Sequence, residues 1–105
     1  MRRRAKADAN QAEIVAALRA RGATVLMTHQ LSSGQKQCGL DLDVGYQGID
    51  QRVEIKDGSK PPSAQKLTPA EDEEIRTWKG RPIEIVTSVD DAMKMLDKMY
   101  MEAAW

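Results

Sequence analysis

Apolar positions along this chain follow a helical period first and a strand period afterwards. An apolar stripe at helical spacing predicts a first helix, which Asp8 or Asn10 caps and Gly22 ends. A capping box completed by Gln11 or Glu13 is expected at its start. The buried stripe of this helix consists of Ile14, Val15 and Leu18.

Three β-rich segments follow, and a short turn separates the second from the third. The first strand is predicted over residues 23–28. Leucine and valine alternate with aspartate and glycine over residues 40–46, which predicts a second strand with one buried face. Gln47 and Gly48 form the turn before a third strand at residues 51–56, so we expect these two strands to pair as a hairpin.

A second helix is predicted to begin at Thr68, with Pro69 at its first position and Glu71 completing a capping box. The buried positions expected for this helix are Ile75 and Trp78. The acids that follow Pro69 favour a helix N-terminus for electrostatic reasons. A solvated acidic face is therefore a better interpretation of this run than a metal site.

A fourth strand is predicted over residues 82–86, and Ser88 is expected to cap a last helix. Its apolar arc is wider than one buried face requires, so part of it is expected to cover a second subunit. The arc consists of Ala92, Met93, Met95, Leu96, Met99, Tyr100 and Met101.

Three consecutive strands suit an antiparallel meander, and a helical crossover can return the fourth strand parallel to its neighbour. The predicted class is α/β, with a mixed sheet flanked by helices.

Composition bounds the range of functions. The chain has 105 residues, 41% of them hydrophobic and 30% charged, which predicts one globular domain over residues 1–105. A single cysteine, Cys38, and a single histidine, His29, exclude an internal disulfide and cysteine-based zinc sites. The basic residues within 1–7 precede no apolar run, so we expect a flexible basic tail and no secretory signal. Nothing approaches 18 consecutive apolar residues, so we expect no membrane span, and the single cysteine fits a reducing cytoplasm.

Candidate chemistry begins with Glu54 and Lys56 on the third predicted strand. Alternation places their side chains on one face, about 7 Å apart. Asp41 lies on the neighbouring strand, so the three side chains can converge at one end of the sheet, with Glu13 approaching from the first helix. Carboxylates without a histidine cluster favour Mg²⁺ or Mn²⁺, which can activate a water for attack on a phosphodiester. Lys56 can orient that water or offset charge on phosphorus.

These motifs resemble those of the PD-(D/E)XK nuclease superfamily, especially the small VRR-NUC-type and Holliday-junction-resolvase-like proteins of bacteriophages. The resemblance rests on Glu13, on residues 39–42 and 53–58, and on the Ser63–Glu71 and Trp78–Gly80 segments. It implies a restriction-endonuclease-like αβββαβ core. It implies that Asp41, Glu54 and the Ile55 carbonyl bind metal, that Lys56 is the catalytic lysine, and that Glu13 reaches the metal through water.

One departure concerns the position before the first aspartate, where the family usually has proline and this chain has Leu40. Asp43 shares a strand face with Asp41 and is the alternative ligand, although the Gly-x-Asp-Leu pattern favours Asp41.

The function expected is a Mg²⁺-dependent endonuclease acting on branched or structured DNA, as a homodimer and in a host cytoplasm if phage-encoded. The alternative is a nuclease-fold module that binds DNA or serves in assembly without cutting.

Overall fold

The computed structural model describes residues 10–27 and 41–104 of the chain. Expectations for the basic tail, His29 and Cys38 concern residues outside these ranges. The elements follow in the order α1, β1, β2, β3, α2, β4, α3. Their bounds are α1 Gln11–Ala20, β1 Thr24–Met27, β2 Leu42–Tyr46, β3 Ile49–Ile55, α2 Pro69–Thr77, β4 Glu84–Val86 and α3 Val89–Ala103.

The sheet has four strands in the order β1-β2-β3-β4. Strands β1, β2 and β3 pair antiparallel, and β4 pairs parallel with β3 after the crossover through α2. This topology confirms the predicted α/β class, the meander and the mixed sheet. The hairpin between β2 and β3 is tighter than predicted, because Tyr46 pairs directly with Ile49. Gln47 and Gly48 both adopt positive φ, 55° and 79°, which matches the twist of a two-residue hairpin turn.

One face of the sheet carries the hydrophobic core, and α1 and α3 cover it. The strand residues on this face alternate as predicted, and the apolar stripe of α1 packs against them. From α3, Met95, Leu96 and Met99 are buried, whereas Tyr100 and Met101 are exposed. The apolar arc of α3 is therefore wider than the core uses, as predicted.

Helix α2 departs from the prediction, because none of its residues is buried. Ile75 and Trp78, which were expected in the core, are only half-buried. The predicted capping box is confirmed, since Glu71 N donates to Thr68 Oγ1 and Thr68 N donates to Glu71 Oε1. The box predicted for α1 with Asn10 and Glu13 is wrong, because Asn10 makes no side-chain cap hydrogen bond there, and the alternative cap Asp8 lies outside the described residues. The Asn10 amide contacts strand carbonyls instead.

Within residues 10–27 and 41–104, no helix has both the length and the apolar character needed to cross a membrane.

Two leucines on the paired strands β1 and β2 test the assignment of the core. Leu42 is fully buried, whereas Leu26 on the opposite face is 54% exposed. We expect Leu42→Ala to lower the free energy of unfolding by about 2–5 kcal/mol, because it leaves a cavity. Leu26→Ala should lower it by less than about 1 kcal/mol. Urea denaturation measures both changes, and equal losses would contradict this assignment of the two faces.

Candidate active site

The face of β3 opposite the core carries a row of charged side chains. Val53 and Ile55 point into the core, so Glu54 and Lys56 point to the other face, as the alternation predicts. Although it lies on this outer face, Glu54 is only 2% exposed. A carboxyl group is therefore buried at the end of β3, next to Lys56.

The carboxyl group of Glu54 lies close to two other acids. Burial, and then the neighbouring carboxyl groups of Asp41 and Glu71, raise the pKa of Glu54 to about 10. Its Oε1 atom is buried and accepts no hydrogen bond within the described part of the chain. Glu54 is accordingly protonated at neutral pH unless a cation enters the cluster.

Asp41 directly precedes β2 and faces the end of β3. Its backbone N–H donates to the Val53 carbonyl at 3.2 Å, and its Oδ2 accepts from the Ile55 N–H at 2.8 Å. These contacts hold the Asp41 carboxylate at the β2 side of the end of β3, because the Ile55 N–H points to that side. In an antiparallel pair, the N–H and C=O of one residue point to the same side, so the Ile55 carbonyl is directed toward this side as well.

Glu71 is the residue that interpretation of the sequence missed. Its Oε1 accepts from Lys56 Nζ at 2.8 Å and from Thr68 N at 2.9 Å. Burial alone would raise the pKa of Glu71, but the hydrogen bonds from Lys56 and Thr68 outweigh it and lower that pKa. Glu71 is therefore an ionised carboxylate that both caps α2 and binds the ammonium group of Lys56.

Lys56 lies between two carboxyl groups, with Nζ 3.8 Å from Glu54 Oε2 and 2.8 Å from Glu71 Oε1. Its side chain is 12% exposed and that of Glu71 is 14% exposed. Both groups thus lie where the dielectric screening of bulk water is reduced, and their attraction is stronger than that of a surface pair. This positive charge offsets part of the repulsion among the acids.

Glu13 is not brought to this cluster. It lies on the exposed side of α1 and lines a separate cavity of about 540 Å³. Asn10, Asp57, Gly58, Ser59, Thr87 and Ser88 form the rest of that cavity's lining. The assignment of Glu13 as an outer carboxylate stays a prediction.

Asp43 also lies away from the cluster, although it shares a strand face with Asp41. It pairs in register with Arg52, and burial together with the carboxyl group of Asp50 raises the pKa of Asp43 to about 6. The acids that raise the pKa of Glu54 are Asp41 and Glu71, and Asp43 does not contribute. Of the two aspartates that the sequence left open, the geometry brings Asp41 to Glu54.

Within residues 10–27 and 41–104, no group of three or more acidic, histidine or cysteine side chains is already arranged to hold a metal ion. Asp41 and Glu71 instead direct oxygens at an N–H and at the Lys56 ammonium. The unsatisfied Oε1 of Glu54 nevertheless fits a hard cation, because such ions bind carboxylate oxygen and favour the ionised form. Asp41, Glu54 and the Ile55 carbonyl are the groups that can supply oxygens.

Comparisons with protein-family models, with curated proteins and with solved structures found no match to this chain.

The raised pKa of Glu54 predicts a pH-dependent penalty on stability. The folded protein keeps a proton that the unfolded chain releases above the ordinary pKa of 4.5, so stability falls as pH rises from there toward 10. Glutamine resembles the protonated side chain and removes this penalty. In EDTA, we expect the free energies of unfolding of Glu54→Gln and the unmodified protein to lie within about 1 kcal/mol of each other at pH 5. The advantage of Glu54→Gln should then grow by about 1.4 kcal/mol per pH unit, to about 4 kcal/mol more at pH 8.

Denaturant titrations across this pH range measure the effect. Glu73→Gln, at an exposed position of α2, is the control and should show no difference that grows with pH. An advantage of Glu54→Gln that stays constant from pH 5 to pH 8 would contradict the assigned protonation.

Proposed function

We propose that this chain is a Mg²⁺-dependent endonuclease of the PD-(D/E)XK type, with a restriction-endonuclease-like αβββαβ core. The observation that carries the proposal is the buried carboxyl group of Glu54, which lies beside Asp41, Glu71 and Lys56. The order of helix, three strands, helix and strand supports the same conclusion. One place in the fold thus brings together Asp41, Glu54, Lys56 and Glu71, which come from three separate segments.

This cluster is costly for the fold. Carboxyl groups that approach each other in a poorly solvated site repel when ionised, and one ammonium group offsets only part of that repulsion. Groups with strongly shifted pKa values in such surroundings are typical of functional sites. A bound Mg²⁺ or Mn²⁺ would explain the arrangement, since Asp41 and Glu54 would supply its carboxylate oxygens and Ile55 a carbonyl oxygen.

Mg²⁺, when bound, polarises the phosphodiester and lowers the pKa of a water ligand. Lys56 keeps an ammonium group at the edge of the cluster, where it can hold the attacking water or stabilise charge on phosphorus. Glu71 accepts a hydrogen bond from this ammonium and so restricts its position. In this proposal Glu13 acts through water, and it lines the cavity of about 540 Å³ described above.

Branched or otherwise structured DNA is the proposed substrate. Lys60 and Lys66 are exposed on the segment between β3 and α2, close in sequence to Lys56, and can contact phosphates.

Cutting two strands symmetrically requires two copies of a chain with one such cluster, so the proposed assembly is a homodimer in the cytoplasm. Exposed Tyr100 and Met101 on α3 are candidates for its interface.

The second candidate is a nuclease-fold module that binds DNA, or serves in assembly, without cutting. In its favour, Asp41 and Glu71 direct oxygens at the Ile55 N–H and at the Lys56 ammonium. In that case the charged cluster would have a structural role only. The two candidates differ in whether divalent cations produce cleavage and whether loss of Glu54 abolishes it.

A cleavage assay over a panel of branched and linear DNAs separates these candidates. With Mg²⁺ or Mn²⁺ we expect incision that EDTA stops. Asp41→Ala and Glu54→Gln should abolish it together with the Mn²⁺ binding that calorimetry detects, because few other ligands remain. Glu73→Gln should cleave normally. DNA binding without cleavage under every condition would establish the second candidate.

Lys56→Ala tests the proposed role of the ammonium group. We expect single-turnover cleavage at saturating DNA to slow by about 10²-fold or more, because charge in the transition state loses its stabilising partner. Mn²⁺ affinity should be retained. A lysine that only binds phosphate would instead weaken DNA affinity and leave the single-turnover rate at saturation unchanged.

A further inference from the structure

The side chain of Asn10 bridges the residues that directly follow β3 and β4, one of which is Lys56 of the charged cluster. Its Nδ2 donates to the Lys56 carbonyl at 3.2 Å and to the Thr87 carbonyl at 3.0 Å. These carbonyls directly follow the ends of the parallel strands β3 and β4. One amide nitrogen at the start of α1 thus joins three elements that are distant in sequence.

The Asn10 contact restrains the backbone of Lys56 at its carbonyl group, while β4 restrains it at its N–H group. The Lys56 N–H already donates to the Val86 carbonyl at 3.0 Å, and the Gly58 N–H donates to the Thr87 carbonyl at 3.0 Å. With its N–H held by β4 and its carbonyl held by Asn10, Lys56 has little freedom to rotate its peptide planes. That restraint sets the direction of the Lys56 Cα–Cβ bond, from which the side chain reaches Glu71, and Glu71 then holds Nζ at 2.8 Å.

The chemistry of the side chain shows why asparagine stands here. Asn10 occupies the N-cap position of α1, yet it makes no side-chain cap hydrogen bond. Its Oδ1 is buried and accepts no hydrogen bond in the described part of the chain. Burying an acceptor without a donor is unfavourable. The two N–H groups are therefore the useful part of this side chain, since aspartate or serine would cap a helix as well but cannot donate twice.

We infer that Asn10 is a positioning residue, whose amide holds the Lys56 backbone so that the Lys56 ammonium stays beside Glu71 and Glu54. The effect on catalysis rests on the proposed function, but the effect on geometry does not. In this inference Asn10 acts through Lys56, because its amide donates to the Lys56 and Thr87 carbonyls.

Asn10→Asp is the decisive variant, because it keeps the size and the capping ability of the side chain while removing both donors. Asn10→Ser, which caps but is too short to reach both carbonyls, is a second variant if the first fails to fold. Arg19→Ala is the matched control. Arg19 Nη2 donates to the Val25 carbonyl at 2.9 Å, so it is a similar link between α1 and a strand at the far end of the helix.

Two measurements report on the position and the role of the Lys56 side chain. One is the side-chain ¹³Cε resonance of Lys56, which reports the surroundings of the ammonium group, and the other is single-turnover cleavage with saturating DNA and Mg²⁺. For Asn10→Asp and Asn10→Ser we expect a displaced Lys56 resonance and cleavage slowed by about tenfold or more at unchanged DNA affinity. Arg19→Ala should lower the thermal midpoint and leave the Lys56 resonance and the rate unaltered.

An unmoved Lys56 resonance in both Asn10 variants would overturn the inference. So would a displaced resonance with an unchanged rate in an active enzyme, because the restraint would then have no consequence for Lys56. If the unmodified protein cleaves no DNA, the proposed function fails, and the resonance alone still decides whether Asn10 positions Lys56.

Discussion

The burial of the Glu54 carboxyl group is the constraint on which the rest of the site depends. Strand β3 must supply apolar residues to the core on one face, and it carries Glu54 on the other, where Asp41 and Glu71 approach it. Such a group is stable only when it is protonated or when positive charge is close. Lys56 supplies that charge at 3.8 Å, and its position is held in turn by Glu71.

Glu71 joins the folding of α2 to the charge of the site. The same carboxylate completes the capping box with Thr68 and accepts a hydrogen bond from Lys56. Helix α2 buries no residue, and at its C-cap Trp78 lies under the guanidinium of Arg52 from β3, at 4.8 Å. Polar and cation–π contacts therefore hold α2 in place, whereas apolar packing holds α1 and α3. A change of charge at Glu54 or Lys56 is expected to affect α2 before it affects the core.

The two faces of the sheet consequently have different tasks. The face under α1 and α3 supplies stability through buried aliphatic and methionine side chains, and it tolerates no charge. The opposite face holds the carboxyl group of Glu54, whose burial and acidic neighbours raise its pKa and thereby reduce stability at neutral pH. Loss of stability at a cluster of this kind is the usual trade-off of a binding or catalytic site. Asn10 connects the two, since it begins a core helix and contacts the backbone of Lys56.

The sequence by itself determined the element order, the hairpin and the alternation that puts Glu54 and Lys56 on one face, because these depend on local periodicity and turn chemistry. It determined the capping box of α2 for the same reason. Only the tertiary structure decided that Asp41 rather than Asp43 approaches Glu54, since strand register and the position of the β3 end are not local properties. The second role of Glu71 and the amide contacts of Asn10 were hidden for the same reason. Both residues carry a helix-capping signature, and their partners lie 15 and 46 residues away along the chain.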